Sequence, residues 1–341
     1  MEKIDFVISW VDGSDLNWIA ERKRYENQLP SCQVKLDANG DCRYKDYGLL
    51  KYWFRAVEEC APWVNKVFFV TCGQKPEWLN ENHPKLKLVN HKDFIPSDWL
   101  PTFNSRTISL NYHRIKDLSE HFLLIDDDMF LLQPVAPEMF FKDGNPILRS
   151  RLRYPEYVGY NNWSRVLFND YCVVNNSFDM RKSIWENRRK WFSVKELGVK
   201  QVRQNLACYL ANKTLPVRGY GHLAYPHLKS TFEEVWDMHS DVLEQTCARK
   251  FRADDQVNTW LMCAWNQAKG CFYPTHEKGR GVCVGMDLET IDWACEIIKT
   301  QSQPQICLND SANNDVDPSV FSMKLTEAFE SVFPNKSSFE K

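Results

Sequence analysis

Residues 4–10, Ile-Asp-Phe-Val-Ile-Ser-Trp, alternate and then run apolar, and Val11-Asp12-Gly13-Ser14-Asp15 follows with turn chemistry, which predicts a strand ending in a loop. From 47 to 59 the apolar positions Leu49, Leu50, Trp53, Phe54 and Val57 recur at three and four, the spacing of an amphipathic helix, with Pro62 to stop it. Lys66 to Cys72 reads as a second strand and Leu86 to Val89 as a third. A loop over His91 to Pro96 and a helix from Asn104 to Leu118, capped by Asn104 or Ser105, come next. The run Phe122-Leu123-Leu124-Ile125 has the length of a buried core strand. Strands alternating with helices in this way predict an α/β fold with a mostly parallel, Rossmann-like sheet.

Past residue 145 the pattern loosens. Residues 147–175, with Arg149, Arg151 and Arg153 at alternate positions and several tyrosines and asparagines, read as short strands and loops over the sheet. Arg181 to Arg203 reads as helical and basic, with Trp185 and Trp191 interleaved, and 231–267 as helical around the break Lys250-Phe251-Arg252-Ala253-Asp254-Asp255. A last strand, Gln305 to Leu308, leads into Asn309-Asp310. One catalytic domain is expected in three parts: a nucleotide-binding α/β part (1–145), a helical and loop insertion (146–270) and a C-terminal part completing the site (271–341).

The strand Phe122–Ile125 ends directly in Asp126, Asp127 and Asp128. Adjacent carboxylates repel unless some face water or a cation, and ligands of open α/β sheets collect beyond the carboxyl ends of strands. The plain reading of the triplet is a solvated turn. The chemical one is a hard cation, Mg2+ or Mn2+, holding a diphosphate. Three further polar clusters, Asp12-Gly13-Ser14, His227 and Asn309-Asp310, are each ordinary as a turn, a structural histidine and a strand-end cap. Together with Arg252 they supply what phosphoryl transfer asks for: carboxylates for a divalent ion, a cation for developing charge and a base.

Composition narrows the partners. With 341 residues and 43% hydrophobic content the chain can bury a large core, and a net charge of -2 gives no reason to expect nucleic acid. Twelve cysteines scattered from Cys32 to Cys307, with no Cys-x-x-Cys pair and no zinc-finger spacing, are expected to be reduced, mostly small buried hydrophobes. No run is long enough to span a membrane and no signal peptide is evident, so a bacterial cytoplasmic location, peripheral to the inner membrane through partners, is expected. The basic stretch Arg181–Arg203 is a solvated helix face on one reading and a grip for an anionic acceptor on the other. The second predicts acceptor affinity that falls steeply with salt.

Several long segments carry a resemblance. Ile4 to Asp15 (IDFVISWVDGSD), Tyr44 to Ala61 (YKDYGLLKYWFRAVEECA), Val70 to Leu79, Asn90-His91-Lys92-Asp93, Leu100 to Ser105 with the aspartate triplet, Pro226-His227 with Lys250-Phe251-Arg252, and Ile306 to Asp310 with the ending Phe333 to Glu340 occur in the order of the blocks of one family. The chain resembles the Stealth family of sugar-phosphate transferases, which includes bacterial capsular polysaccharide phosphotransferases and, more distantly, the catalytic region of the lysosomal-enzyme N-acetylglucosamine-1-phosphotransferase. The resemblance implies a GT-A-like, Rossmann-like fold and transfer of a sugar 1-phosphate, such as an N-acetylhexosamine 1-phosphate, from a UDP-type nucleotide sugar to a sugar hydroxyl. A phosphodiester forms and a nucleoside monophosphate leaves.

On that resemblance Trp10, Val11, Asp12 and Gly13 hold the nucleotide, Ser105 contacts the donor, and Asp128 and Asp310, helped by Asp126 or Asn309, carry Mg2+ on the diphosphate. Arg252 neutralises the transferring group and His227 takes the acceptor proton. Asp127 is assigned to the fold's own hydrogen bonds. Two departures stand out: Ser109 replaces a glutamate common in relatives, where a donor-sugar hydroxyl contact is expected, and Asp126-Asp127-Asp128 replaces Asn-Asp-Asp. The nearest alternative is a metal-dependent glycosyltransferase, which attacks the anomeric carbon and releases a nucleoside diphosphate. A non-catalytic carbohydrate-binding protein explains the tryptophans but needs neither the aspartates nor the arginine.

Overall fold

The structure, a computed structural model, describes residues 2–29, 36–152, 162–211, 222–276, 279–310 and 318–341, without the side chains of 36, 37, 42, 310 and 318. The strands are β1 (Ile4–Ser9), β2 (Val67–Thr71), β3 (Leu86–Asn90), β4 (His121–Leu124), β5 (Met129–Leu131), β6 (Phe141–Lys142), β7 (Asn145–Arg149), β8 (Tyr225–Leu228), β9 (Tyr273–Thr275), β10 (Val282–Met286) and β11 (Gln305–Asp310). The main sheet has the order β3-β2-β1-β4-β8. Its first four strands are parallel and β8 runs antiparallel to β4, so the predicted α/β class with a mostly parallel sheet is the one found. β1, β2 and β4 are almost wholly buried, as strands covered on both faces must be. The one charge inside β1, Asp5, is satisfied by Asn65 Nδ2 at 2.6 Å and the Ser119 N–H at 2.7 Å.

One face of the sheet packs against the helix Leu50–Cys60 and the C-terminal helix Pro318–Val332, where the Tyr52 and Phe329 rings stack at 5.6 Å. The other face receives Phe232 and Trp236 of the helix Lys229–Met238 and Leu261 and Trp265 of the helix Trp260–Lys269. A second, three-stranded sheet, β10-β11-β5, abuts the first. It matters because β5 starts immediately after Asp128, while β11 pairs with β5 and carries Asn309 and the backbone of Asp310 toward the aspartates.

Two predicted elements differ, and one helix lies where none is predicted. The helix predicted over 104–118 spans only Ser105–Leu110, capped by Asn104, before a tight turn at Tyr112–Arg114. Asn111 Nδ2 donates back to the Thr107 carbonyl at 2.8 Å and its backbone leaves the helical region, so the helix stops there. The short strands and loops expected over 147–175 are, in their second half, a helix, Asn162–Ser177. Its asparagines, read as turn formers, serve another segment: Asn169 Nδ2 donates to the carbonyls of Asp254 and Gln256 at 2.8 Å each. A helix that the turn chemistry at 11–15 concealed, Leu16–Glu26, starts at Asp15, whose carboxylate caps the N–H groups of Asn17 and Trp18. Arg153 lies outside the described residues.

The C-terminal block that carried part of the resemblance is a clamp. Glu340 takes a two-pronged ion pair from Arg55, at 2.8 Å and 3.0 Å, with both side chains buried. Phe339 packs on Phe54 and Phe333 offers its carbonyl to the same guanidinium at 2.8 Å. Glu340→Ala leaves the buried guanidinium only its longer carboxylate contact, to Glu330 at 3.4 Å, so a loss of about 3 kcal/mol of stability is expected by urea unfolding, with kcat of the folded fraction unchanged.

Candidate active site

The turn Asp126–Asp128 joins β4 to β5 at the carboxyl end of the main sheet and opens into a cavity of about 240 Å3. It is lined by Trp10, Val11, Tyr44, Asp46 and Cys72 and by Asp126, Asp128, Ser105, Arg252, His222 and Asn309. Trp10 Nε1 donates to Asp46 Oδ2 at 3.2 Å, which fixes the indole at the rim. Asp127 is exposed at the turn and lines the cavity, so its expected role in the fold's internal hydrogen bonds is not what the structure has.

Arg252 sits in the loop between the helices Ser240–Ala248 and Trp260–Lys269. Its backbone is held on both sides by Asn39, and its guanidinium donates to Ser105 Oγ from Nε at 3.2 Å and from Nη2 at 2.6 Å. Ser105 thus orients the arginine, a use the sequence did not disclose. Burial pulls the Arg252 pKa down, while Tyr44, Asp126 and Asp128 pull the other way, and the group remains charged.

His222, in the stretch before β8, brings Nδ1 to 3.1 Å from Cys307 Sγ and 3.6 Å from Asp128 Oδ2. Cys307 also approaches Asp128 Oδ2, at 3.5 Å. These three residues, from three distant parts of the chain, are the group of clustered ligand-type side chains among the described residues. His227 is elsewhere. It is fully buried opposite Phe122 in the β4–β8 register, packed on the Phe122 and Phe232 rings, with neither ring nitrogen partnered. Desolvation pushes its pKa down to about 3. A neutral ring sealed from the cavity cannot receive an acceptor proton, so the expected base role of His227 is corrected: the histidine the fold brings to the aspartates is His222.

Asp12 and Gly13 do not line the cavity, in contrast to Trp10 and Val11 beside them. The Asp12 carboxylate accepts from Ser14 N–H at 2.9 Å and Ser14 Oγ at 2.6 Å, and its backbone exchanges hydrogen bonds with the Gln74 amide. Gly13 is needed for close approach, since a Cβ there would stand 1.8 Å from the Tyr44 carbonyl oxygen. In this structure both serve the turn and its packing.

The oxygen donors fit a hard cation. Asp128 Oδ1 is buried with no hydrogen-bond partner, and burial together with Asp128 raises Asp126 to about 6, against the lowering pull of His222 and Arg252. Carboxylates crowded in this way are relieved by a divalent ion, with Asn309 on the adjoining wall. The Asp310 side chain lies outside the described residues, although its backbone pairs with Met286 beside the site.

Two buried histidines and one half-buried link the fold to pH. Desolvation lowers His91 and His113 to about 4 and His227 to about 3. Each is neutral when folded but binds a proton below about 6.5 when unfolded, so the unfolded chain takes up more protons as pH falls. Stability is therefore expected to be complete above about pH 7 and to drop as pH falls from about 6.5 toward 4, by up to about 1.4 kcal/mol per pH unit per histidine. Urea midpoints at a series of pH values measure it.

An α/β sheet with aspartates, an arginine and a histidine gathered at its carboxyl end is the frame of a transferase. Residues 2–30 match Stealth protein CR1, conserved region 1, and residues 43–147 match Stealth protein CR2, conserved region 2. The chain is 38% identical to a capsular polysaccharide phosphotransferase, WcwK, of Streptococcus pneumoniae over the full length of both, and 37% identical to a receptor polysaccharide phosphotransferase, WefC, of Streptococcus gordonii over 100% of this chain and 99% of the relative. A capsular polysaccharide phosphotransferase, CpsJ, of Streptococcus thermophilus is 43% identical over 56% of this chain and 79% of its own. The chain belongs to the Stealth family. No helix among its described residues is long and apolar enough to cross a membrane.

Proposed function

We propose that this protein transfers a sugar 1-phosphate from a nucleotide diphosphate sugar, UDP-linked in our reading, to a hydroxyl of an acceptor saccharide in a capsular or other cell-surface polysaccharide. The oxygen of the acceptor hydroxyl bonds to the sugar-bearing phosphorus, the bond from that phosphorus to the bridging oxygen breaks, and a nucleoside monophosphate leaves. The observation that supports this best is the meeting of Asp126, Asp128, Arg252 and His222 on one cavity beside an aromatic rim. The names of the full-length relatives point the same way.

In this reading Trp10 and Val11 border the nucleotide. Arg252, held by Ser105, faces the phosphoryl oxygens and offsets charge as it spreads in the loose transition state. His222 accepts the proton of the acceptor hydroxyl, its ring oriented through Nδ1 by Cys307 and Asp128. Asp128 and Asp126, with Asn309 and Asp310, would hold Mg2+ or Mn2+, which when bound neutralises diphosphate charge. We place the reaction in a bacterial cytoplasm. Incubating the protein with Mg2+, a panel of methyl hexosides as acceptors and UDP-, CDP- and GDP-sugars tests the reading: release of a nucleoside monophosphate from one donor is expected, and no donor consumption across the panel contradicts it.

A further inference from the structure

A second cavity, about 510 Å3, adjoins the first, with Ser9 and Arg43 lining both. It shares Ser105, Asp126, His222, Arg252 and Asn309 with the first, so the two compartments meet at the groups assigned above to the phosphoryl centre. Its outer wall is of another kind. Trp163, Tyr225 and Trp260 line it, with Asn258 and Thr259 between them. The Trp163 indole stands edge-on to Trp260 with ring centroids 3.9 Å apart, and Trp163 remains 43% exposed although Trp260 is buried. Asn258 spends its Oδ1 on the Trp260 backbone N–H at 2.8 Å and its backbone N–H on Asp170 Oδ1 at 3.0 Å, and its side-chain Nδ2 makes no hydrogen bond among the described residues.

This wall is tied rigidly to the arginine. Asp254, two residues after Arg252, accepts from Asn162 Nδ2 at 2.9 Å and Arg165 Nη1 at 2.6 Å, on either side of Trp163 in the helix Asn162–Ser177. Arg106, beside Ser105, donates to the Ala253 carbonyl at 2.9 Å and to Gln256 Oε1 at 2.7 Å. Trp163, Arg252 and Ser105 are thus held in one frame.

Resting on the proposed reaction, we infer that this second compartment is the acceptor subsite and that it binds a pyranose ring, with Trp163 as the flat apolar face and the Asn258 amide and Thr259 hydroxyl as hydrogen-bonding partners. In-line displacement at phosphorus requires the attacking oxygen to enter opposite the departing nucleoside phosphate. With the nucleotide in the cavity lined by Trp10, the adjoining cavity is the one left for the attacking hydroxyl. A cavity of this size that sets three aromatic rings among mostly polar side chains offers a sugar ring one flat face and many hydrogen-bonding partners. The basic stretch 181–203 lines neither compartment, which separates recognition of the reacting sugar from any contact that segment makes with an anionic polymer.

The test uses the full chain, the donor selected from the nucleotide-sugar panel and the same methyl hexosides. Trp163→Ala is expected to raise the acceptor KM about tenfold or more, with no matching rise in donor KM. Trp163→Tyr should restore most of the loss, whereas Trp163→Leu, apolar but not flat, should not. An unchanged acceptor KM in both the Ala and Leu variants overturns the inference. So does a raised donor KM with the acceptor KM intact, which would assign the ring to the donor sugar. If the wild-type protein turns over no nucleotide sugar, the reaction reading fails, yet the subsite still answers: the methyl hexosides should quench tryptophan fluorescence in the wild type and not in Trp163→Leu. Equal quenching, or none in either, overturns it.

Discussion

His222→Ala is expected to lower kcat by about 10^2- to 10^4-fold, the range for loss of a positioned general base, with the fold intact because the ring is partly exposed. His227→Phe is expected to do the opposite on both counts. It replaces two unpartnered buried nitrogens by carbon in a pocket already formed by Phe122 and Phe232, so activity should stay within about threefold and stability should rise by roughly 1 kcal/mol. It should also flatten the loss of stability below pH 6.5, since one of the three suppressed histidines is gone. Steady-state kinetics and urea midpoints on the two variants decide the matter. An inactive His227→Phe beside an active His222→Ala would return the base role to the core histidine.

Arg252→Ala is expected to be the most damaging single change, lowering kcat by about 10^3- to 10^5-fold at saturating donor. It removes the cation facing Asp126 and Asp128 as well as the donor aimed at the phosphoryl centre, so those carboxylates repel each other with less compensation. Arg252→Lys keeps a charge but loses the fork that Ser105 receives through Nε and Nη2, and should recover only a small part of the rate. A kcat within tenfold of wild type for either variant, measured on protein with unchanged unfolding, would remove Arg252 from the chemistry.

Much of this was legible in the chain, and the exceptions have physical causes. β1, β2 and β4 declare themselves because strands buried on both faces are continuous apolar runs, and acidic residues at the end of such a run stand where ligands collect. The two histidines flanking Leu223-Ala224-Tyr225-Pro226 were harder. His227 lies within an apolar stretch that became β8, a context that signals burial, while His222 precedes it in a segment without periodicity. Cys307 carried no chemical signal, since its partners Asp128 and His222 are assembled only when β11 pairs with β5. Asp12-Gly13 hid part of its work for a similar reason: that the aspartate closes its own turn and the glycine admits the Tyr44 carbonyl is visible only in the fold. The helix carrying Trp163 was hidden because its asparagines bond to the Arg252 loop and not to turns of their own.

The central claim is that the bond broken is to phosphorus and not to the sugar. A donor carrying 32P only in the phosphate attached to the sugar separates the two outcomes in one turnover. The label is expected in the acceptor product, as a phosphodiester, with an unlabelled nucleoside monophosphate released. Label recovered in a nucleoside diphosphate, with none in the saccharide product, would mean attack at the anomeric carbon and would contradict it.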